Sequence, residues 1–216
     1  MDHFYPHLFR WRQGDGSEPP WGGAAPQRPA PVMPRYGELP PLAVYGSAKI
    51  VQDVVASLRG NSPEALCMTL HTVRVGEPFA VGSYRLTAVP ANHPMPHDVA
   101  FNYIIEDEAG RTLLYGLDGG MPPEEAWALL EGKRLDAIVL DATTGFGGRG
   151  AASNHMALDD VRDVVDRLKA MDALKPGCRI VLSHINAHHW PPHDEAAPLV
   201  EREGLTLSYD GMWLEV

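Results

Sequence analysis

The sequence predicts a mixed α/β protein in which helices cover sheets. Three observations carry this. Short strand-like runs joined by turns fill residues 42–117, and helical and strand-like periods alternate from residue 122 onward. A 44% share of hydrophobic residues in 216 is enough for one core.

The elements follow in order. "LAVYGS" reads as a short strand ending at a Ser47 cap, and the next run places Ile50, Val51, Val54, Val55 and Leu58 on one helical face. "LCMTLHTVRV" and the pair "PFAVG/SYRLTAVP" are strand-like, and "FNYIIEDEAGRTLLYGLD" alternates around an Asp-Glu-Ala-Gly turn, the pattern of a hairpin. A helix over residues 122–132 precedes the buried strand "DAIVLD". A further helix then turns Leu158, Val161, Val165 and Leu168 inward. Strand "RIVLS", a helix from about residue 194 and a closing pair "LTLSYD/GMWLEV" complete the chain.

Residues 13–41 break this rhythm with eight Pro and five Gly, a composition that cannot bury enough apolar surface to fold alone. The reading is a single domain over 1–216 carrying a Pro/Gly-rich loop or lid at about 13–41; a surface insertion without a role fits the same composition. No internal repeat has the length of a solenoid unit.

Charge and targeting signals narrow the function. Eighteen basic against 28 acidic residues give a net charge of −10, which argues against a nucleic-acid partner. No run of about 18 apolar residues exists to span a membrane, and the start shows no charged-then-apolar signal pattern, which favours the cytoplasm. Cys67 and Cys178 lie far apart and read as reduced thiols.

The candidate chemistry lies among ten histidines. His93 follows "YRLTAVPAN", Asp118 follows "RTLLYGL" and precedes two glycines, and His184 follows "RIVLS". Each stands at the carboxyl end of an expected strand, where a sheet presents side chains to a shared cleft. Imidazole and carboxylate are the ligands expected for zinc, manganese or iron. "TTGFGGRG" lacks the Gly-Lys-Ser/Thr ending of a phosphate loop and reads as a flexible loop feeding the same side. His71 reads as structural, His7 and His97 as possible cleft residues, and His188, His189 and His193 as solvent-facing or supporting.

The order of these features, from the opening "MDH" through the strand-end His, the Asp-Gly-Gly and the Ser-His, resembles the metallo-β-lactamase superfamily. "SNHMALDDV" and "YDGMWLEV" look like its PhnP branch of cyclic phosphodiesterases. The resemblance covers most of the chain except residues 13–41. It implies an αββα sandwich, two mixed sheets flanked by helices. "MDH" matches only the last three positions of the family's His-x-His-x-Asp-His motif, so the chain is expected to begin inside that motif and to lack the first strands.

Residue by residue, the resemblance assigns one metal site to Asp2, His3 and His184, with Asp118 bridging to a second site that includes His93. It implies two divalent ions, zinc or manganese, only partly occupied here, and hydrolysis of a small cyclic phosphate of the phosphoribosyl type through an activated water. His155, at the branch's Asn-His position, would contact the phosphate or protonate the leaving oxygen. The incomplete motif predicts impaired activity, and an exposed sheet edge favours a homo-dimer. Three alternatives stay open: an inactive remnant that binds a ligand or partner, a ribonuclease Z-like enzyme, and a thioester or lactone hydrolase.

Overall fold

A computed structural model describes residues 41–148 and 154–216. The proposed insertion at 13–41, apart from its last residue, lies outside them, as does the start of the expected first motif.

The order is β1 (Leu42–Gly46), α1 (Ala48–Ser57), a 3-10 turn (Glu64–Leu66), β2 (Met68–Thr72), β3 (Pro78–Val81), β4 (Tyr84–Ala91), β5 (Ala100–Glu106), β6 (Thr112–Gly116), α2 (Glu124–Leu130), β7 (Leu135–Asp141), α3 (Leu158–Ala170), β8 (Leu174–Ser183), α4 (His193–Glu201) and β9 (Leu205–Leu207). Two sheets form. β1 and β2 make a parallel pair, and the larger sheet runs β3-β4-β5-β6-β7-β8-β9. Its pairings are antiparallel from β3 to β6 and parallel from β6 to β9. The metallo-β-lactamase arrangement of two sheets with flanking helices is therefore present, although among the described residues the smaller sheet is a parallel pair and not mixed. No helix among the described residues is long and apolar enough to cross a membrane.

Local sequence explains the joints. Asp107 Oδ1 accepts from the backbone N–H of Ala109 and Arg111 at 2.9 and 2.8 Å, closing the β5–β6 hairpin around Gly110 at φ 76°. Those bonds, the Arg111 N–H first among them, hold the Asp107 carboxyl below its ordinary range. Ser47 caps α1 by accepting from Ile50 N at 3.1 Å, and its hydroxyl also donates to Asp98.

One apolar cluster forms where α2, α3 and α4 meet the larger sheet. It joins Trp127 and Leu130 of α2, Val161, Val164 and Leu168 of α3, and Ala196 and Val200 of α4 to Leu114, Ile138, Leu140 and Leu182 of the strands. Each fully buried Leu or Ile contributes about 1.5–3 kcal/mol. Tyr115 on the same sheet is exposed and Leu113 and Val139 only half-buried, which gives the strands their period of two. Arg167 clamps Glu124 of α2 through two bonds of 2.9 and 2.7 Å and lies 4.3 Å over the Trp127 ring.

Helix α1 forms where its apolar stripe indicates; its own residues are half-buried or exposed, while Leu58 at its C-cap is buried. One expectation fails. The closing hairpin does not form: β9 stops at Leu207, and Gly211 at φ 86° follows in a turn from Tyr209 to Met212. The tail is then held by guanidinium groups on its carbonyls, from Arg179 to Glu215 at 2.8 Å and from Arg111 to Val216 at 2.5 Å, with Trp213 in solvent.

Candidate metal centre

Strand direction assembles the site. β4 and β6 are each antiparallel to β5, so they run the same way, and β7 and β8 are parallel to β6. Four carboxyl ends therefore lie along one edge, where α/β sheets hold their ligands. Beyond them come His93 after β4, Asp118 after β6, Asp141 as the last residue of β7, and His184 after β8. Asp118 and His184 both adopt positive φ, 56° and 60°, which turns the chain sharply as it leaves each strand. Non-glycine residues adopt that conformation uncommonly, Asp and His more readily than most.

Asp118 is the hub. Its Oδ1 lies 3.2 Å from His93 Nε2, 3.6 Å from His184 Nε2 and 4.0 Å from His155 Nδ1. Asp118, Asp141, His155 and His184 each offer one ligand atom within 4.8 Å of the others. His93 joins them through Asp118 and sets its ring at 68° to that of His155, 5.8 Å away.

Asp141 has a different task. Its carboxylate is fully buried, and both oxygens are already engaged. Oδ1 accepts from Thr143 N at 2.9 Å and Met156 N at 3.2 Å, while Oδ2 accepts from Gly119 N at 3.3 Å. Oδ2 also faces His155 Nδ1 at 3.0 Å and His184 Nδ1 at 3.3 Å. A buried carboxylate tied to this many donors fixes its neighbours in place. It gathers the loop after β6, the loop after β7 and both histidines on one group.

Thr143 completes the arrangement. Its hydroxyl donates to the His184 carbonyl at 2.8 Å and lies 2.7 Å from His184 Nδ1 and 3.3 Å from His155 Nδ1. A hydroxyl has one proton to donate, so toward His184 Nδ1 it accepts. The network assigns the ring proton of His184 to Nδ1, and Nε2 is left as a lone pair facing Asp118. An imidazole held at one nitrogen by oxygen acceptors and free at the other is the pattern of a metal-ligating histidine. Two imidazoles and a solvent-accessible carboxylate suit a divalent cation such as zinc or manganese, and the residues fit the group the sequence implies.

In the described part of the glycine-rich loop after β7, Ala142 to Gly147 are tied down by several hydrogen bonds. Trp190 Nε1–H donates to Ala142 O at 2.6 Å, Phe146 N–H to His189 O at 3.2 Å, and Leu158 N–H to Gly145 O at 2.9 Å. At Gly145, with φ 39°, a Cβ would overlap the Trp190 indole nitrogen, so only glycine fits.

Of the sequence-expected residues, His93, Asp118, His155 and His184 come together. Asp2 and His3 lie outside the described residues. Asp141 and Thr143 were missed. A carboxylate closing an otherwise apolar run was the available signal for Asp141, because a buried charge needs partners. Among the remaining histidines, His71 is exposed and stacks on Tyr45 at 4.6 Å, and His97 is also exposed.

Residues 32–185 match the model of the Beta-lactamase superfamily domain. No curated protein sequence matches significantly. Among solved structures the chain is similar to the metallo-beta-lactamase fold protein YhfI from Bacillus subtilis, at 15% identity and TM-score 0.57, covering 80% of this chain and 64% of that one. It is also similar to a diphosphatase from the PhnP family, at 20% identity and TM-score 0.56, covering 79% and 56%. Zinc-bound PqqB from Methylobacterium extorquens matches at 20% identity and TM-score 0.55, covering 82% and 65%. The chain thus spans between 56% and 65% of the length of these three, and identities so low speak for the fold alone. With its family model matched over most of its length, the chain belongs to the beta-lactamase superfamily and has the metallo-β-lactamase fold.

Proposed function

We propose that the chain belongs to a metal-dependent hydrolase of phosphodiesters, with a small cyclic phosphate as the substrate class. The observation that carries this reading is the Asp118 carboxylate, set between His93 Nε2 at 3.2 Å and His184 Nε2 at 3.6 Å. Divalent ions held by His93, Asp118 and His184 would supply Lewis acidity toward a phosphoryl oxygen and a water of lowered pKa.

The chain's own residues support this chemistry. A cavity of about 340 Å³ opens on His93 and Asp118, and its walls include Tyr45, Met95, Phe101 and Tyr103. Among the described residues that line it none is Lys or Arg. Cations held by His93, Asp118 and His184 would supply charge of the opposite sign, which suits a phosphorylated substrate of a −10 chain. In this reading His155 serves proton transfer. Asp141 Oδ2 faces its Nδ1 at 3.0 Å and orients the ring, so that Nε2 would be the atom serving the leaving oxygen.

The test pairs metal binding with two substrates. Calorimetry should show zinc or manganese binding that Asp118→Ala and His184→Ala weaken, and the loaded protein should open a 2′,3′-cyclic phosphate while leaving an acyl thioester intact. His155→Ala should keep the metal and lose turnover. Hydrolysis of the thioester alone would replace this reading with the acyl-hydrolase alternative. Metal binding with neither activity would leave the binding-module alternative.

A further inference from the structure

A second cavity, of about 430 Å³, opens at the same edge of the sheet, beyond the ends of β8 and β9. The strand order sets it on the far side of His184 from the cavity at His93. Its wall begins at Ile185, next in the chain to His184, and continues through Trp190, Pro191, Pro192, His193 and Tyr209. It is joined to the metal centre on its other flank as well, because the Trp190 indole is bonded to Ala142, the residue after Asp141.

The walls are preformed. Trp190 is fixed by that 2.6 Å bond and by an edge-on contact with Phe146 at 5.3 Å. His193 Nε2 lies 3.3 Å from Leu207 O, and its ring meets that of Tyr209 edge-on at 5.6 Å and 83°. Two consecutive prolines stiffen the backbone between them. Tyr209 nevertheless keeps 60% of its surface exposed. A rigid aromatic wall with a free ring face costs little ordering when a flat group lands on it.

Charge selects the kind of group. Among the described residues the lining holds no Lys or Arg and includes the Asp210 carboxylate, which disfavours a second phosphate or carboxylate there. We infer that this cavity is the subsite for a neutral, planar aromatic group of the substrate, stacked on Tyr209 and attached to the phosphate that the metal centre hydrolyses. The inference rests on the proposed hydrolysis at His184. It narrows the substrate class from cyclic phosphates in general to those carrying a neutral ring, such as a nucleobase or an aryl group, and sets aside a second charged phosphate at this position.

The test uses the full chain and reads binding without turnover. Adenosine, p-cresol and ribose are titrated separately, and the indole Nε1–H of Trp190 and the ring of His193 are followed by NMR. Adenosine should shift both signals and ribose neither. A shift with p-cresol as well marks an aryl subsite, and a shift with adenosine alone marks a nucleobase subsite. Tyr209→Ala, a change at an exposed residue, should weaken the binding about tenfold, the scale of one stacking contact. Unmoved signals with both ring-bearing probes, or shifts undiminished in Tyr209→Ala, overturn the inference. A parallel titration with zinc and inorganic phosphate, read at His184, keeps the two claims separate. Ring binding without zinc binding would sink the hydrolase reading, and zinc binding without ring binding would sink only the subsite.

Discussion

Asp141 Oδ2 lies 3.0 Å from His155 Nδ1 and 3.3 Å from His184 Nδ1, so one buried carboxylate orients both rings. In Asp141→Asn one oxygen becomes an NH2 group, which cannot accept from the backbone or from either ring. Zinc affinity should fall about 10- to 100-fold, the usual scale for losing a partner of a metal-ligating histidine. The melting temperature should drop too, because buried groups lose partners at about 1–3 kcal/mol each. Calorimetry and thermal unfolding check the two effects. Unchanged affinity would mean that Asp141 only braces the loops.

Thr143 separates hydroxyl from bulk. Thr143→Val keeps the shape and removes the acceptor facing His184 Nδ1, and it should weaken zinc binding about tenfold. Thr143→Ser keeps the hydroxyl and should bind as the parent does. Equal losses in both variants would point to packing.

Cys178 gives a pH signature. Burial, with Asp136 nearby, pushes its thiol up to about 11. In the unfolded chain the same thiol ionises near its ordinary value of about 8.5. The folded state therefore holds the proton longer, and the stability contributed by this group is full below the unfolded pKa and lost as pH rises through the folded one. Denaturant midpoints should fall between about pH 8.5 and 11, and Cys178→Ser should flatten that slope. Alkylation at pH 8 should spare Cys178 in the native protein.

Gly145→Ala should be damaging out of proportion to one methyl group. The new Cβ would overlap the Trp190 indole, and φ 39° disfavours any side chain. Displacing Trp190 breaks its bond to Ala142 and loosens the loop that carries Thr143. A loss of about 1–3 kcal/mol is expected from overpacking, read as a lower denaturant midpoint. Gly148→Ala, where nothing lies within 4 Å of the added carbon, is the control, with only backbone strain.

The contrast between what the residues announce and what only packing reveals is chemical. His93, Asp118 and His184 were legible because each follows a strand-like run, and strand direction then does the rest. Asp141 carried only a weak signal, a carboxylate closing the apolar run "DAIVLD". Only the folded chain shows that three backbone N–H groups and two imidazoles converge on it. Thr143 was masked by the glycines after it, which suggested looseness across the whole run, while Trp190 and His189 tie down its described part. The stripe on α1 was legible, and the helix forms where it indicates. The tail was not: alternation in "GMWLEV" permits a strand, and pairing needs a neighbour in register.

The alignment of four strand ends also has a meaning in time. The residues that converge on Asp118 come from as early as residue 93 and as late as residue 184, and the parallel half of the sheet joins them only through helical crossovers. Contacts this distant in the chain form after local ones, because loop closure must come first. During refolding the capacity to capture a cation should therefore appear only after the helical signal has recovered.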